Sequence, residues 1–573
     1  MQAGAIVTGY FGKGILLSIT NEKALVWANL SVESIYDLSL ITDTGYSTSF
    51  NECMSAAKYN SKGNLKLPTI YFNMLFDSRN FEDGIATYKL NGGAEVFYRP
   101  ASIAEEDIIM HKAGSKKVNK QHLTDKKETY QYDIIKDRRY TKDQFLFYVP
   151  LTMNFGKGKA YRYNDAVNNA IKNDKDEVNV VGIARGERNL LYAVVTDSKG
   201  NILEQKSLDV VNGVDYYDLL EAREEKRDTA RKSWKSIDGI KDLKSGFLSQ
   251  AVREIIDLAL KYNAIIALED INTEFKRERQ KIERSVYQQL EKALITKLNY
   301  LVTDKSREQA DVLAPGGALN ALQLTAEFES FEKIGKQTGC IFYIPTYFTN
   351  NIDPTTGFTN MFNARYTNIA NAKAFVDKFE SIIFNGKYFE FSFDYSNFTD
   401  KAAGTRTNWT VCSHGNRIHR FINAEKNNSW DEKTVRPTEM FEDLFRSNGI
   451  KYSSGENIKD KIAEQNNKDF FTEFIHIFNL MLQMRNSSVF DRKIDYIISP
   501  VKNKNDVFFD TREVDNTMPT NSYANKAYNI ARKGVWALEQ IRKTDIGSKK
   551  LNLAISNKEW LNYIQEETCK PWS

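Results

Sequence analysis

The densest group of charged and aromatic side chains in the sequence lies between His111 and Arg139. This stretch contains nine Lys or Arg residues and four Asp or Glu residues, interleaved with His122, Tyr130 and Tyr132. Lysine and arginine neutralise phosphates, and aromatic rings stack on unpaired bases. The composition therefore suits contact with RNA, although a solvated basic loop has the same composition.

A single carboxylate, Glu269, stands near the end of the apolar run AIIALEDI (264–271). A strand-end acid of this kind either caps the following turn or ligates a metal ion. Two-metal cleavage of a phosphodiester needs several converging carboxylates, because two divalent cations must stabilise the attacking and the leaving oxygen. One carboxylate cannot hold two such cations.

The elements around Glu269 predict a mixed α/β sheet. VNVVGIA (178–184) and LLYAVVTDS (190–198) predict two buried strands, and SKGN predicts a tight turn before a third strand, ILEQKSLDVV. Helical patterns follow, and then the strand that carries Glu269. This is the order expected of an RNase H-like fold, whose metal-binding acids come from the ends of the first and fourth strands and the start of the last helix. The corresponding positions are Ala184, Glu269 and Tyr523.

Length and composition favour a folded protein that stays in the cytoplasm. A chain of 573 residues predicts roughly two to four packed units. The sequence has no run of about 18 apolar residues and no signal-peptide pattern at its start, so no membrane span is predicted. The 79 Lys and Arg against 75 Asp and Glu permit nucleic-acid binding. The four cysteines show no C-x-x-C pair, which argues against a zinc knuckle.

Three segments resemble the RuvC motifs of the Cpf family of type V-A CRISPR effectors, which are RNA-guided DNA endonucleases. GIARGERNLLYAVVTDSKGNILEQKSL is similar to the first motif, which begins G-I-D-R-G-E-R in that family, with the Asp as a metal ligand. ALEDINTEFKRERQKIERSVYQQLEKALITKLNYLV resembles the second motif and keeps its Glu. YANKAYNIARKG resembles the third, whose usual form is D-A-D-A-N-G-A-Y. The resemblance runs from about Lys66 to the C-terminus.

The resemblance implies that two of the three metal ligands of the nuclease site are lost. Ala184 stands at the position of the first Asp, and Glu269 keeps the second ligand. Asn521 and Tyr523 stand where the family has two Asp residues, and Lys526 stands where it has Gly. The family uses Mg²⁺, which we expect not to bind productively here, so that DNA cleavage is lost. Changes at several positions favour natural loss over a single inactivating substitution at Ala184.

The resemblance also implies an RNA-processing site. YDIIKDRRYTKDQFLFYVPLTMNF resembles the last wedge-domain segment of the family, which holds the hairpin of the guide RNA. In that family a His and two Lys residues cut precursor guide RNA without metal, and by local spacing they match His111, Lys120 and Lys136. Such groups can move protons and stabilise negative charge when a 2′-hydroxyl attacks a phosphate. Phosphate contacts are further expected from Lys116, Lys117, Lys126, Lys127, Arg138 and Arg139.

Two further segments match the family. KRDTARKSWKSI (226–237) resembles its bridge helix, although a basic amphipathic helix packed by Trp234 is the alternative. The nucleic-acid contacts expected from it are Lys226, Arg227, Arg231 and Lys232. NWTVCSHGNRI and MLQMRNS resemble the Nuc segment, which places Arg485 where an Arg assists target-strand cleavage. A surface ion pair is the alternative for Arg485.

The predicted architecture is α/β: an RNase H-like (RuvC) domain with a Nuc insertion, preceded by a β-rich, wedge-like segment of OB-like character. The expected divisions are an unassigned segment 1–64, a guide-RNA-binding wedge-like segment 65–160, RuvC part I 175–212, a bridge helix 213–240, RuvC part II 241–345, a Nuc-like insertion 346–510 and RuvC part III 511–573.

Three functions remain open from the sequence. The first is a CRISPR-derived protein of antiviral defence that binds and processes guide RNA but does not cut DNA, which the retained His111, Lys120 and Lys136 favour. The second is an active endonuclease fragment, or one half of a split effector that binds target DNA with a separate recognition-lobe protein. Ala184 and Tyr523 disfavour it. The third is a non-enzymatic regulatory module or a decayed remnant.

Overall fold

The structure is a computed structural model of the chain. It describes the backbone of seven strands between Gly4 and Arg99. Beyond these strands it describes residues 100–116, 129–130, 133–137, 140–141, 144–148, 151–153, 163–173, 177–186, 190–211, 214–219, 222, 240–270, 284–300, 324–399, 404–426, 428–544 and 551–569.

The chain divides into two compact units. The first comprises Met1–Arg162 and Lys297–Gln323, and the second comprises Tyr163–Thr296 and Leu324–Ser573. The described strands of the first unit are short and pair in antiparallel sheets with the orders β2-β1-β4-β5, β10-β7-β3, β11-β6 and β8-β9. They are β1 (Gly4–Gly9), β2 (Ile15–Thr20), β3 (Leu25–Ala28), β4 (Ser39–Ile41), β5 (Ser47–Ser49), β6 (Tyr88–Leu90), β7 (Ala94–Arg99), β8 (Met110–His111), β9 (Ile134–Ile135), β10 (Gln144–Tyr148) and β11 (Leu151–Met153).

The second unit is built on a six-stranded mixed sheet with the order β14-β13-β12-β17-β19-β18. The pairs β12–β17 and β17–β19 are parallel, and the other pairs are antiparallel. The strands are β12 (Asn179–Arg185), β13 (Leu191–Thr196), β14 (Ile202–Ser207), β17 (Ala264–Glu269), β18 (Gln337–Thr338) and β19 (Ile341–Ile344). The first two strands and β17 lie where the apolar runs predicted them, because each is buried on both faces and is therefore continuously apolar.

The predicted third strand differs from the structure. The segment 202–211 was expected to form one strand, but β14 ends at Ser207, and a hairpin of β15 (Val210–Val211) and β16 (Val214–Asp215) follows. Asp209 causes the break. Its buried carboxylate accepts a hydrogen bond from the backbone N–H of Leu191 at 3.2 Å, which turns the chain away from the ladder.

Helices cover both faces of this sheet. They include α1 (Tyr163–Asn173), α2 (Ile240–Lys261), α3 (Arg284–Tyr300), α8 (Ser522–Lys543) and α9 (Asn557–Cys569). The last long helix was predicted to begin near Ala524 and begins at Ser522. It packs across β12 and β13, where a Cβ on Gly182 would lie 2.3 Å from the carbonyl oxygen of Ala527. Only glycine permits this close approach of strand and helix.

The segment between β19 and α8 folds around its own aromatic core. Its helices are α4 (Ile369–Asp377), α5 (Pro437–Ser447), α6 (Lys459–Ala463) and α7 (Lys468–Met481). Its strands are β20 (Ser381–Phe384), β21 (Phe389–Asp394), β22 (Asn408–Cys412), β23 (Arg417–Asn423), β24 (Ser429–Val435), β25 (Arg485–Ser487), β26 (Asp495–Lys502) and β27 (Phe508–Asp510). Phe389, Phe391 and Phe393 alternate along β21 and point into a core shared with α5 and α7. This core explains why the segment is rich in phenylalanine. Across the described part of the chain, no helix combines the length and apolarity needed to cross a membrane.

Candidate nuclease site

The three positions predicted for metal ligands lie at one edge of the central sheet. The register pairs Ile183 with Leu268, so Ala184 and Glu269 are the next residues along two parallel strands. The N-terminus of α8 lies at the same edge, where the Asn521 side chain accepts a hydrogen bond from the backbone N–H of Ala524 at 2.8 Å. Parallel strands bring their carboxyl ends to one edge of a sheet, which is why residues distant in sequence meet here.

The Glu269 carboxylate is engaged on both oxygens by positive charges. The Lys526 ammonium lies 2.8 Å from Oε1, and Nε of Arg185 lies 3.1 Å from Oε2. The backbone N–H of Arg185 also points at Oε2, at 3.4 Å. Since the Glu269 side chain is only 2% exposed, these contacts replace its hydration. The retained acid is therefore the centre of a buried ion cluster.

The surroundings of Glu269 keep it ionised. Burial acts to raise the pKa of its carboxyl group, but the charges of Lys526 and Arg185 together outweigh burial. The pKa of Glu269 therefore lies below its ordinary value. The carboxylate is charged at neutral pH and attracts the two cations that cover it.

Tyr523 fills the space at the start of α8. Its ring lies against Gly186, where an added Cβ would be 1.9 Å from Cε1 of the ring. The guanidinium carbon of Arg485 stands 4.8 Å from the centroid of the same ring. The Tyr523 ring is thus held between the backbone that follows β12 and a cation of the inserted segment.

Arg485, which was predicted to assist cleavage, lies beside Tyr523 and forms an ion pair. Its Nε and Nη2 bond to the two oxygens of Asp495 at 3.2 and 3.3 Å. Ser522 donates a hydrogen bond to Asp495 Oδ2 at 2.5 Å, which links β26 to the first turn of α8. The pair holds the guanidinium in place, because a two-point contact restricts its orientation.

These residues do not fit a two-metal centre. Ala184 has no donor atom, Tyr523 offers a phenol where a hard cation prefers a carboxylate, and both oxygens of Glu269 are bonded to cations. Among the described residues, no group of three or more His, Cys, Asp or Glu side chains is placed to hold a metal ion.

The mixed sheet, its opening antiparallel strands, the parallel strand that ends in Glu269 and the long last helix define an RNase H-like nuclease fold. The predicted fold class is therefore confirmed. A family model described as RuvC nuclease domain matches residues 158–569, so this chain belongs to the RuvC nuclease domain family. Domains of this family act on nucleic acids and use divalent metals.

The predicted RNA-processing residues lie in the first unit. His111 pairs with Ile134 in the β8–β9 ladder, and the backbone N–H of Lys136 donates to the Ile109 carbonyl at 2.9 Å. Lys136 directly follows β9, in the turn after the strand, and its side chain is exposed. The His111 ring stacks on Tyr130, with centroids 4.6 Å apart and planes inclined by 7°.

Of the other residues predicted to contact nucleic acid, Lys116 lies in the described part of the chain. Lys116 is exposed and forms an isolated β-bridge with Thr129. The predicted residues that lie outside the described part of the chain are Lys117, Lys120, Lys126, Lys127, Arg138, Arg139, Lys226, Arg227, Arg231 and Lys232.

Sequence reasoning missed the ion clusters that surround the site. Arg185 was not singled out, although it directly follows the lost ligand position, and Lys526 was noted only as a departure from glycine. A second cluster centres on Arg492, which bonds to the buried Asp209 at 3.0 Å and to Asp215 at 3.2 Å. It connects the inserted segment to the β15–β16 hairpin. Nothing in the spacing of these residues signals that they meet.

Proposed function

We propose that this RuvC-family protein derives from a type V-A CRISPR effector of the Cpf kind, and that it binds guide RNA without cutting DNA. The observation that carries the loss of cleavage is the ion pair of Glu269 with Lys526, a residue that stands where the family has glycine, beside the two ligand positions held by Ala184 and Tyr523. A carboxylate occupied in this way cannot position the metal ions that a RuvC reaction needs. Under this proposal the further partners are target DNA and a separate recognition-lobe protein, which would bind the DNA together with this chain.

Binding to RNA is supported by the basic character of 111–139 and by the motifs that resemble the wedge segment. Within that segment, the described residues include an aromatic pair, His111 on Tyr130, and the exposed Lys116. Stacked aromatic rings and lysines are the groups with which proteins hold single-stranded or hairpin RNA. Such binding relies on phosphate contacts and does not require a divalent metal.

The test separates binding from cleavage. Labelled single-stranded DNA incubated with the purified protein and Mg²⁺ or Mn²⁺ is expected to stay intact. A repeat-containing hairpin RNA should still bind when EDTA replaces Mg²⁺. Its affinity should fall with salt, with a logarithmic slope of about 0.7 for each phosphate neutralised on a single strand. Mg²⁺-dependent DNA cleavage that Glu269→Gln abolishes would contradict the proposal.

A matched pair of variants tests where RNA binds. Alanine at Lys116, Lys117, Lys126 and Lys127 together should weaken binding and reduce the salt slope, because phosphate contacts are lost. A control variant carries alanine at four exposed lysines of the second unit, Lys387, Lys451, Lys468 and Lys558. Equal loss in both variants would mean that the 111–139 stretch is not the binding surface.

A second activity, metal-independent RNA processing, is favoured by the β8–β9 ladder, which brings the backbone of Lys136 to that of Ile109, two residues before His111. In this reaction a ribose 2′-oxygen bonds to the adjacent phosphorus as the bond to the 5′-oxygen breaks. The products are a 2′,3′-cyclic phosphate and a 5′-hydroxyl. His111 can take the proton from the 2′-hydroxyl or give one to the leaving oxygen, and the Lys136 ammonium can stabilise the charge on the phosphate.

The processing activity should survive EDTA and be blocked by a 2′-deoxy nucleotide at the cleaved position. His111→Ala and Lys136→Ala should each slow cleavage by a factor of about 10² to 10⁴ while RNA binding stays within a few fold. Lys112→Ala is the control, since this exposed lysine is the neighbour of His111 but is not among the residues that match the family's processing site. Equal rates for the wild type and all three variants would rule out this site, leaving the binding function alone.

A further inference from the structure

We propose that Lys526 is a tethered replacement for a divalent cation, and that its ammonium excludes metal ions even when the missing carboxylates are restored. The inference rests on the proposed function, because it explains why the RuvC site does not cleave. It goes further in assigning the block to one side chain. Loss of ligands at Ala184 and Tyr523 is then only part of the cause.

The ammonium of Lys526 has the surroundings of a bound cation. It lies 2.8 Å from Oε1 of Glu269 and 2.9 Å from the backbone carbonyl oxygen of Arg185. A carboxylate oxygen and a backbone carbonyl are the ligands that hard cations take in proteins. The side chain is 14% exposed, so most of its surface is in contact with the protein. Lys526 thereby joins the ends of β12 and β17 through a cation that is covalently attached to the chain and cannot diffuse away. Burial lowers the pKa of Lys526 from its ordinary value, and the adjacent Glu269 carboxylate opposes that shift by favouring the ammonium form.

Lys526 and Tyr523 act from one face of α8. They are three residues apart, a spacing that puts side chains next to each other on a helix. Tyr523 covers Gly186 with its ring while Lys526 reaches Glu269. One turn of helix therefore supplies both an uncharged filler and a cation to the edge where β12 and β17 end.

Restored carboxylates would still face this cation. A divalent ion bound to Glu269 would stand within a few ångströms of the Lys526 ammonium and the Arg185 guanidinium, and like charges at that distance repel strongly in a buried site. New acids at positions 184 and 523 would add negative charge near the ammonium, which could then pair with them as well. Ligand restoration alone should therefore strengthen the internal cluster instead of opening it to metal.

The experiment compares variants in one background. The double variant Ala184→Asp with Tyr523→Asp should bind Mn²⁺ no more tightly than the wild type. Adding Lys526→Gly should tighten Mn²⁺ binding by roughly 10- to 100-fold, the range found when a group next to a metal ligand changes. Mn²⁺ binding is followed by the loss of the free-ion electron paramagnetic resonance signal. Melting temperature with and without Mn²⁺ is the second measurement, since a ligand that binds only the folded state raises it.

Two further variants in the same background distinguish the effect of the charge of Lys526 from the effect of its side-chain volume. Lys526→Met removes the charge and keeps most of the volume, and should restore Mn²⁺ binding nearly as well as glycine. Lys543→Met changes an exposed lysine in the last turn of the same helix and should have no effect. A triple variant that folds only when Mn²⁺ is present also supports the proposal, because metal binding then contributes to folding.

Two results would overturn it. Tight Mn²⁺ binding by the double variant would show that the ammonium does not exclude metals. A folded triple variant that binds Mn²⁺ no better than the double variant would show that Lys526 is not the obstacle. Both results leave the proposed function intact, because that depends on whether the wild-type protein cleaves DNA.

Discussion

At the scale of single residues, the role of Glu269 depends on the groups that its carboxylate contacts. A carboxylate at a strand end serves a nuclease by holding an external ion, and here it holds two side chains of the same chain. Breaking a buried ion pair on one side leaves the other charge without compensation, which is more damaging than losing an exposed pair. Glu269 is therefore expected to stabilise the second unit, even without a catalytic task.

This stabilisation should depend on pH in a defined direction. The pKa of Glu269 lies below the unfolded value of about 4.3, so the ionised carboxylate stabilises the fold above that pH, and the contribution is lost as the pH falls through the folded pKa. Glu269→Gln should lower the stability of the second unit by about 3–5 kcal/mol near neutral pH. In acid, the stabilities of the wild type and the Glu269→Gln variant should become similar.

Melting curves at neutral and acid pH provide the measurement. Glu439→Gln is the control, since Glu439 forms an exposed pair with Arg436, with 58% of the Glu439 side chain accessible. At each pH, the melting temperature of the Glu439→Gln variant should stay close to that of the wild type. A Glu269→Gln variant that melts with the wild type at neutral pH would mean that the cluster contributes nothing.

At the scale of elements, the inserted segment is attached to the central sheet by charge as well as by packing. Arg492, in the loop between β25 and β26, reaches the fully buried carboxylate of Asp209, and its guanidinium carbon lies 3.6 Å above the centre of the Tyr217 ring. Arg485 makes a second connection through Asp495 and Ser522. Both contacts join the inserted segment to elements that frame the nuclease site.

Removal of Arg492 should therefore be costly. Arg492→Ala leaves Asp209 without its cation in a buried position. Burial already raises the pKa of Asp209 to about 6, so the carboxyl can take up a proton, and we expect a loss of about 1–3 kcal/mol, as for a buried polar group left without its partner. Arg446→Ala is the matched control, because the pair between Arg446 and Asp443 is largely exposed, and its loss should cost only about 0–1 kcal/mol. Denaturant melts of both variants give the comparison. Similar losses would indicate that the Arg492 cluster is not a structural attachment.

The sequence predicted some elements better than others for physical reasons. β12, β13 and β17 were predictable because burial on both faces leaves continuous apolar runs. The strands of the inserted segment were not assigned, although the alternation of FEFSFD in β21 follows the period of a half-buried strand. The break at Asp209 could not be foreseen, since it depends on a hydrogen bond to Leu191, which is distant in sequence.

At the scale of the whole molecule, the sequence predicted the location of the candidate site but not the contacts made within it. The positions of Ala184, Glu269 and Tyr523 followed from motif order, because a fold fixes which strand ends come together. The partners of Glu269 did not follow, because Arg185 and Lys526 belong to different segments and meet only in the folded chain. The order of motifs predicts where a site lies, whereas the contacts made there decide what it can do.

The two units also divide the functional candidates. The RuvC match at 158–569 covers the described parts of the second unit, where the Glu269 carboxylate is paired with Lys526 and Arg185. The candidate RNA residues, His111 and Lys136, belong to the first unit. Under the proposed function, RNA processing and metal-dependent DNA cleavage depend on separate groups of side chains, so that loss of one activity need not remove the other.

The cation cluster at Glu269 has a consequence for how such a gene can evolve. A single change from Lys526 to glycine removes a buried cation from Glu269 before any new ligand exists, and a single acid at position 184 gives the internal ammonium one more partner. Under the proposed block by Lys526, each first step toward a metal site lowers stability or adds a partner for the ammonium, and neither step alone supplies a complete set of metal ligands. Under the proposed loss of cleavage, we expect either single change to leave the protein without DNA cleavage, so that a working metal site would need several substitutions together.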